Sequence, residues 1–164
     1  MEIRKITENK EHYRELLLLA DEQWNMVERY LYRGTLYVLT EENELRALCV
    51  VTNEGGGTLE IKNLAVSPAF QRRGYGRALI DFVRSHYAGQ YQTLQVGTGE
   101  SPLTIPFYEA CGFTRSHRIK NFFTDNYDHP IVECGIVLTD MVYLKMPLQK
   151  EFPSISYIHK GAVS

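Results

Sequence analysis

Val66-Ser67-Pro68-Ala69-Phe70-Gln71-Arg72-Arg73-Gly74-Tyr75-Gly76-Arg77 is the segment from which the rest of this chain is best understood. Before it, residues 59–66 form an apolar run of strand length that stops at the Ser67-Pro68 break. Behind it, Leu79, Phe82, Val83 and Tyr87 recur on one face of an amphipathic helix. A strand that passes through a basic, glycine-bearing loop into a helix is suited to holding an anion. The first N–H groups of a helix lack intrahelical acceptors and carry the positive end of its dipole. Gly74 and Gly76 let the backbone approach a ligand without a Cβ in the way, and Arg72, Arg73 and Arg77 add positive charge. The segment reads as a pyrophosphate cradle.

Spacing separates it from two better-known cradles. A P-loop requires G-x-x-x-x-G-K-[ST], and neither Lys nor Ser/Thr follows Gly76. A dinucleotide fingerprint requires G-x-G-x-x-G, and Leu79 stands where its third glycine would fall. Gln71-Arg72-Arg73-Gly74-Tyr75-Gly76 instead resembles the acetyl-CoA motif Q/R-x-x-G-x-G/A of the GNAT acetyltransferase superfamily, and Leu64-Ala65-Val66 is similar to the strand that precedes it. Further along, Phe107-Tyr108-Glu109-Ala110-Cys111-Gly112-Phe113 resembles the second signature of that family, F/L-Y-x-x-x-G-F. Physically it reads as a short helix over about 103–111, stopped by Gly112, with Phe113 opening the next strand. Thr93-Leu94-Gln95-Val96-Gly97-Thr98 lies between the motifs and reads as a strand, which is the family's order.

The resemblance implies an α+β fold: a mixed, mostly antiparallel twisted sheet of about six to seven strands, flanked by about four helices and splayed at its central strand. It covers nearly the whole chain, so residues 1–148 are expected to form one acetyltransferase domain. It also implies an acyltransferase that moves an acetyl group from acetyl-CoA to an amine of a small molecule or peptide, by direct attack in a ternary complex. A GNAT-like module that binds acyl-CoA as a sensor, without turnover, is the second reading. The intact Tyr108 motif favours the enzyme.

Bulk properties agree. The 164 residues, with 44% hydrophobic and 23% charged content, suit one globular domain with a normal core. The longest apolar run, residues 16–20, is too short to span a membrane, and residues 1–5 lack the apolar core of a signal peptide. A cytoplasmic location is expected, with no membrane partner. Cys49, Cys111 and Cys134 are odd in number and widely spaced, so neither a disulfide framework nor a metal site is expected. A net charge of −2 argues against a nucleic-acid binder. The basic charge is local, at the loop, and fits one diphosphate with its 3′-phosphate. Monomer and homodimer both remain open.

Along the chain, residues 3–6 read as a first strand, 11–19 and 23–32 as helices, and 35–40 and 45–52 as strands around a Glu41-Glu42-Asn43 turn. Gly55-Gly56-Gly57 turns the chain into the central strand. There, Leu59 and Ile61 share one face, but Leu64 and Val66 continue with the opposite parity. A bulge near Lys62-Asn63 produces such a switch; a strand buried on both faces is the alternative. Residues 121–141 are least family-like, and their twenty-one residues suggest a functional loop before a last strand over 142–148. Residues 149–164 form a tail expected to pack on the domain or on a partner subunit.

Acetyl transfer to an amine needs a polarised carbonyl, a neutral amine and a proton for the departing thiolate. Backbone N–H groups freed around a bulge would meet the first need at residues 63–66. Residues 60–66 span roughly 20 Å, so a cofactor gripped at 72–77 and laid back along the strand points its acetyl group toward Glu60. The resemblance assigns cofactor contacts to Leu64, Ala65, Val66, Gln71, Arg72, Arg73, Gly74, Tyr75, Gly76 and Arg77. It makes Tyr108 the proton donor; packing in the core or against the cofactor is the other reading of that residue. Full proton transfer from tyrosine to a thiolate is uphill by about 2 kcal/mol in water, so a hydrogen bond to the developing charge is the expected contribution. Glu60 resembles the strand glutamate that removes the amine proton through water in some subfamilies; alternatively it is a solvated strand glutamate paired with Lys62. His117 and His129 are further candidates for the base. Ser101 stands seven residues before Tyr108, where many relatives carry asparagine, so its cofactor contact is altered, and Thr98 and Thr104 offer hydroxyls nearby. Cys111 beside Gly112 reads as a core thiol. The resemblance implies that two segments wall the acceptor cleft. One carries Trp24, Asn25, Glu28, Tyr30 and Tyr32, the other Phe122, Phe123, Asp125, Tyr127 and Asp128. Trp24, Glu28, Phe123 and Asp125 are the acceptor-binding candidates, by charge pairing and cation–π contact with an amine; a helix that packs its aromatics into the core is the other reading.

Overall fold

The structure, a computed structural model, describes residues 1–148; the tail expected over 149–164 lies outside them. The chain runs β1 (Glu2–Ile6), a 3₁₀ turn (Lys10–Tyr13), α1 (Arg14–Ala20), α2 (Trp24–Leu31), β2 (Thr35–Glu41), β3 (Glu44–Gly55) and β4 (Thr58–Val66). It continues through α3 (Tyr75–Tyr87), β5 (Thr93–Gly99), α4 (Ile105–Ala110), β6 (Thr114–Ile119), α5 (Phe122–Asn126), the short strands β7 (Val132–Glu133) and β8 (Ile136–Val137), and β9 (Met141–Pro147).

The main sheet has seven strands in the order β1-β2-β3-β4-β5-β9-β6. All its neighbours are antiparallel except β4 and β5, which α3 joins as a parallel crossover. Short turns set the meander. Glu42 and Asn43, with φ of 55° and 61°, make the left-handed two-residue turn that matches the twist of β2 and β3. Gly55, Gly56 and Gly57, all at positive φ, return β3 into β4.

Alternation along the strands sorts the core into two layers. Ala47, Cys49 and Val51 face the layer of α3 and α4, while Leu48 and Val50 face that of α1 and α2. In β4 the parity changes. Leu59, Ile61, Leu64 and Val66 all join the α3 layer, and Ala65 joins the other. The cause is a bulge: Val50 pairs with Asn63 but Val51 pairs with Ile61, leaving Lys62 as the extra residue. The parity switch in the sequence therefore marks a bulge and not a strand buried on both faces.

α3 docks through Leu79, Ile80, Phe82 and Val83, all fully buried. Each contributes roughly 1.5–3 kcal/mol of apolar transfer energy, enough to fix where the helix starts. The 121–141 segment departs from the loop expected there. It contains α5 and the β7–β8 hairpin, folded around a small cluster of Phe123, Ile131 and Leu138. No helix among the described residues is long and apolar enough to cross a membrane.

Candidate active site

Pairing between β4 and β5 runs from Thr58–Thr93 to Ile61–Val96 and then stops. On its other side β4 stays paired to β3 as far as Val66, opposite Ala47. The two parallel strands thus diverge at the bulge, and the edge of β4 over residues 62–66 is without a partner strand on the β5 side. A cleft of about 390 Å³ opens there. Residues 62–66 and Gln71 form one wall, Gly97, Thr98, Thr104 and Tyr108 another, and Asp21, Phe123 and Tyr127 close the far side.

At one end lies the basic loop. Gln71 has φ of −65°, Arg72 +64° and Gly74 +87°, and Gly74 caps α3. Gln71 is extended, with ψ of 153°, and the left-handed residues after it wrap the backbone tightly around the start of α3, in the manner of an anion-binding nest. The first bond within α3 is from Ala78 N–H to Gly74 O, so the N–H groups of residues 75–77 are still without helical acceptors. Gln71 folds back and donates from Nε2 to Val66 O at 3.2 Å, joining loop to strand. The two glycines serve different ends. Gly74 needs its positive φ, whereas a Cβ on Gly76 would meet Phe107 Cζ at 3.3 Å, so Gly76 sets how closely α3 approaches α4. Arg72 and Arg73 are exposed, and Arg77 donates to Ala110 O at 3.2 Å. Tyr75 points away from solvent into the α3 layer and donates its hydroxyl to Glu41 at 2.5 Å. Its side chain belongs to the core, and what it offers a ligand is its backbone N–H.

At the other end stands Tyr108, from α4. Pro106 sits in the first turn of that helix, and Phe113 packs on the tyrosine ring edge-to-face at 5.6 Å. The residue is buried but lines the cleft, and its hydroxyl makes no hydrogen bond among the described residues. Burial pushes this phenol well above its usual range, and charge on Cys111, Cys49 and Glu133 acts in the same direction. The hydroxyl therefore keeps its proton and is a donor to whatever enters.

Glu60 is placed differently from what the sequence suggests. It is buried, accepts from Gln95 Nε2 at 2.6 Å and pairs with Lys62 Nζ at 3.0 Å, and it is absent from the cleft's lining. The pairing with Lys62 matches part of the second sequence reading, but the carboxylate is buried and not solvated as that reading expects, because β4 is central in the sheet and Gln95 of β5 covers it. His117 is exposed and stacks on Tyr143 at 4.7 Å. His129 is exposed as well; bonds to Asp128, at 2.5 Å, and to Glu22, at 2.9 Å, hold it above its usual range. Burial raises the Cys111 thiol, as a core residue requires.

Ser101 is buried, its hydroxyl accepts Leu103 N–H at 3.0 Å, and it lies close enough to Glu133 to favour the charged form of that carboxyl. Thr98 donates to Thr104 at 2.8 Å across the mouth of α4.

Of the four acceptor candidates, the structure brings Phe123 to the cleft and not Trp24, Glu28 or Asp125. α2 turns Met26, Val27, Tyr30 and Leu31 inward, which leaves Glu28 on its outer face. Trp24 packs on the α1–α2 layer with the Arg14 guanidinium 4.5 Å over its ring. Asp125 is on the exposed side of α5. The carboxylates that do line the cleft are Asp21, Glu22 and Glu133, none of which the sequence singled out. Asp21 joins three segments: Tyr30 donates to it at 2.9 Å and Tyr127 at 2.5 Å, while Asn63 Nδ2 donates to the Tyr30 hydroxyl at 3.1 Å. Burial raises its carboxyl, with the tyrosine hydrogen bonds opposing.

The cleft thus joins a basic loop at the start of a helix, an unpaired strand edge and a buried hydroxyl free of hydrogen bonds among the described residues. A family model described as an acetyltransferase (GNAT) domain matches residues 32–115. The uncharacterized N-acetyltransferase YvbK of Bacillus subtilis (strain 168) is 36% identical over 142 residues, which is 85% of this chain and 91% of that protein. A GNAT family acetyltransferase from Elizabethkingia anophelis, solved with acetyl-CoA bound, superposes with a TM-score of 0.84 at 38% identity, covering 89% of this chain and 97% of that one. A Bacillus subtilis acetyltransferase solved with CoA superposes with a TM-score of 0.83 at 33% identity, covering 90% and 98%. The chain belongs to the GNAT acetyltransferase family.

Proposed function

We propose that this protein transfers an acetyl group from acetyl-CoA to an amine by direct attack in a ternary complex. The observation that carries the reading is the parting of β4 from β5 between the nest at residues 71–77 and the free hydroxyl of Tyr108. The acetyl-CoA and CoA complexes of the two solved relatives support it.

The residues present fit the cofactor. The N–H groups of the loop and of the first turn of α3 bind the diphosphate, with Arg72 and Arg73 adding exposed charge beside it. The unpaired edge of residues 62–66 offers backbone groups to an amide-bearing arm as a replacement for the missing strand. Bound acetyl-CoA would supply an activated acyl thioester. Tyr108 then donates its hydrogen bond where charge grows on the departing sulfur. Glu60, held by Gln95 and Lys62, stiffens the bulge from behind.

A panel of alkylamines, aminoglycosides and N-terminal peptides, assayed for acetyl-CoA-dependent thiol release, tests the reading. Release with at least one amine is expected. Tight CoA binding with no release on the panel would favour the sensor.

A further inference from the structure

We propose that Glu133 takes the proton from the acceptor's ammonium, and that the acceptor is a cationic alkylamine. This deepens the acetyl-transfer reading and rests on it.

The position of Glu133 is set by its hairpin. Cys134 and Gly135, with φ of 52° and 74°, form a two-residue left-handed turn, which fixes Glu133 opposite Ile136. Behind the turn, Leu138 N–H donates to Ile131 O at 2.8 Å, and both side chains are buried against Phe123. A Cβ on Gly99 would overlap Leu138 Cδ1, so β5 accepts the hairpin only because glycine stands there. Glu133 thereby lines the same cleft as Tyr108. The Ser101 hydroxyl, itself anchored by Leu103 N–H, lies beside the carboxylate from the β5–α4 connection and favours its charged form.

The other charged groups along the cleft are engaged. Lys62 is paired with Glu60, Asp21 accepts two tyrosine hydroxyls, and Glu22 is bonded to His129. Glu133 has a neutral neighbour, Ser101, and forms no ion pair among the described residues. Burial, reinforced by the charge of Glu22, raises its carboxyl from the usual range, with the Ser101 hydrogen bond opposing. A carboxylate so placed accepts a proton more readily than one in water. Its charge also helps Tyr108 retain its proton, so acid and base face one cleft.

The protons balance. The ammonium gives one proton to Glu133, which later releases it to solvent. The neutral nitrogen attacks the acetyl carbon, the C–N bond forms and the C–S bond breaks. The thiolate takes a proton from Tyr108, and the second proton lost by nitrogen restores the phenol.

Two probes test the assignment: benzylamine, a cation at neutral pH, and aniline, which is already neutral there. Glu133→Gln should lower kcat on benzylamine at pH 7 by about 100-fold or more, with the gap closing as alkaline pH supplies neutral amine. Its effect on aniline should be far smaller. Ser101→Ala should move the acidic limb of the benzylamine profile to higher pH, a shift that a merely structural role would not give. Equal losses on both amines at every pH would overturn the proposal. A carbon-13 NMR titration of the CoA-bound protein needs no acceptor. The Glu133 carboxyl, assigned by its absence in Glu133→Gln, should titrate above the free-glutamate value of about 4.3; a value at or below it overturns the assignment. Turnover of no amine at all by the parent protein would instead sink the acetyl-transfer reading, and the titration would still decide on Glu133.

Discussion

At the scale of single residues, Tyr108 and the two loop glycines bear the most direct tests. Tyr108→Phe deletes one hydroxyl and leaves the ring that packs on Phe113, so fold and CoA affinity should hold. Loss of acid assistance should lower kcat by roughly 10²–10⁴. An unchanged kcat, with chemistry rate-limiting, would reduce Tyr108 to packing. Gly74→Val forces a branched side chain onto φ of 87°, a strain of about 1–2 kcal/mol, and should raise the Kd for CoA about tenfold. Gly76→Val pushes on Phe107 and should do likewise, while Arg72→Ala, at an exposed site, should cost far less. Calorimetry with near-normal affinity in both glycine variants would remove the nest from the account. Glu60→Gln separates positioning from proton removal: a stiffening role predicts the same fractional loss at all pH, a base predicts loss concentrated near neutrality. Glu133 adds a stability test. Its carboxyl is raised in the fold, so its contribution is full below the unfolded value and is lost as pH rises through the folded one. Glutamine cannot ionise, so thermal unfolding should favour Glu133→Gln progressively from pH 4 to pH 8; a gap that closes over that range would contradict the sign. The loop and Tyr108 were legible in the sequence because their spacing is local. Asp21, Glu22 and Glu133 were not, since a carboxylate after a helix or within a hairpin looks like any surface residue until the fold gathers it.

At the scale of elements, legibility followed length. Six of the seven main strands and the helices over 14–20, 24–31 and 75–87 carry enough turns or alternations to declare their period, whereas β6, exposed throughout, was placed only by the helix stop at Gly112 before it. The bulge was readable because it reverses parity between Ile61 and Leu64, and the structure assigns the extra residue to Lys62. α5, with five residues, and β7 and β8, with two each, are shorter than one full signal of either period, so they read as a loop. What holds them is tertiary: Leu138 seated on Gly99, and Asn121 N–H bonded to Asp140 at 2.9 Å. Gly99→Val should therefore unseat the hairpin and leave the nest untouched. The kcat for benzylamine at pH 7 should fall, as it does when Glu133 is removed, and the KM should rise several-fold, while CoA affinity stays at the parental level. A fall in CoA affinity of the same size would mean that the hairpin also supports the cofactor half of the cleft.

Across the whole molecule, a net charge of −2 hides a division of labour. Exposed Arg72, Arg73 and Arg77 surround the nest, whereas Asp21, Glu22 and Glu133 line the far part of the cleft beside one paired lysine, Lys62. Under the proposed function, two ligands of opposite charge would meet fields of opposite sign at the two ends of one cleft. Such fields are screened over about 8–10 Å at ionic strengths near 0.1–0.15 M, and the exposed arginines are screened more than groups inside the cleft. Raising salt from 20 to 500 mM should therefore weaken CoA binding, and the Arg72→Ala, Arg73→Ala double variant should flatten that dependence. Gly74→Val should weaken binding with the salt slope preserved, because backbone N–H groups and not mobile charge are what it disturbs. For benzylamine, whose cation meets a partly buried carboxylate, the rise in KM with salt should be shallower than the rise in the CoA Kd. A steeper salt response for the amine than for CoA would place the dominant field at the acceptor end and contradict this division.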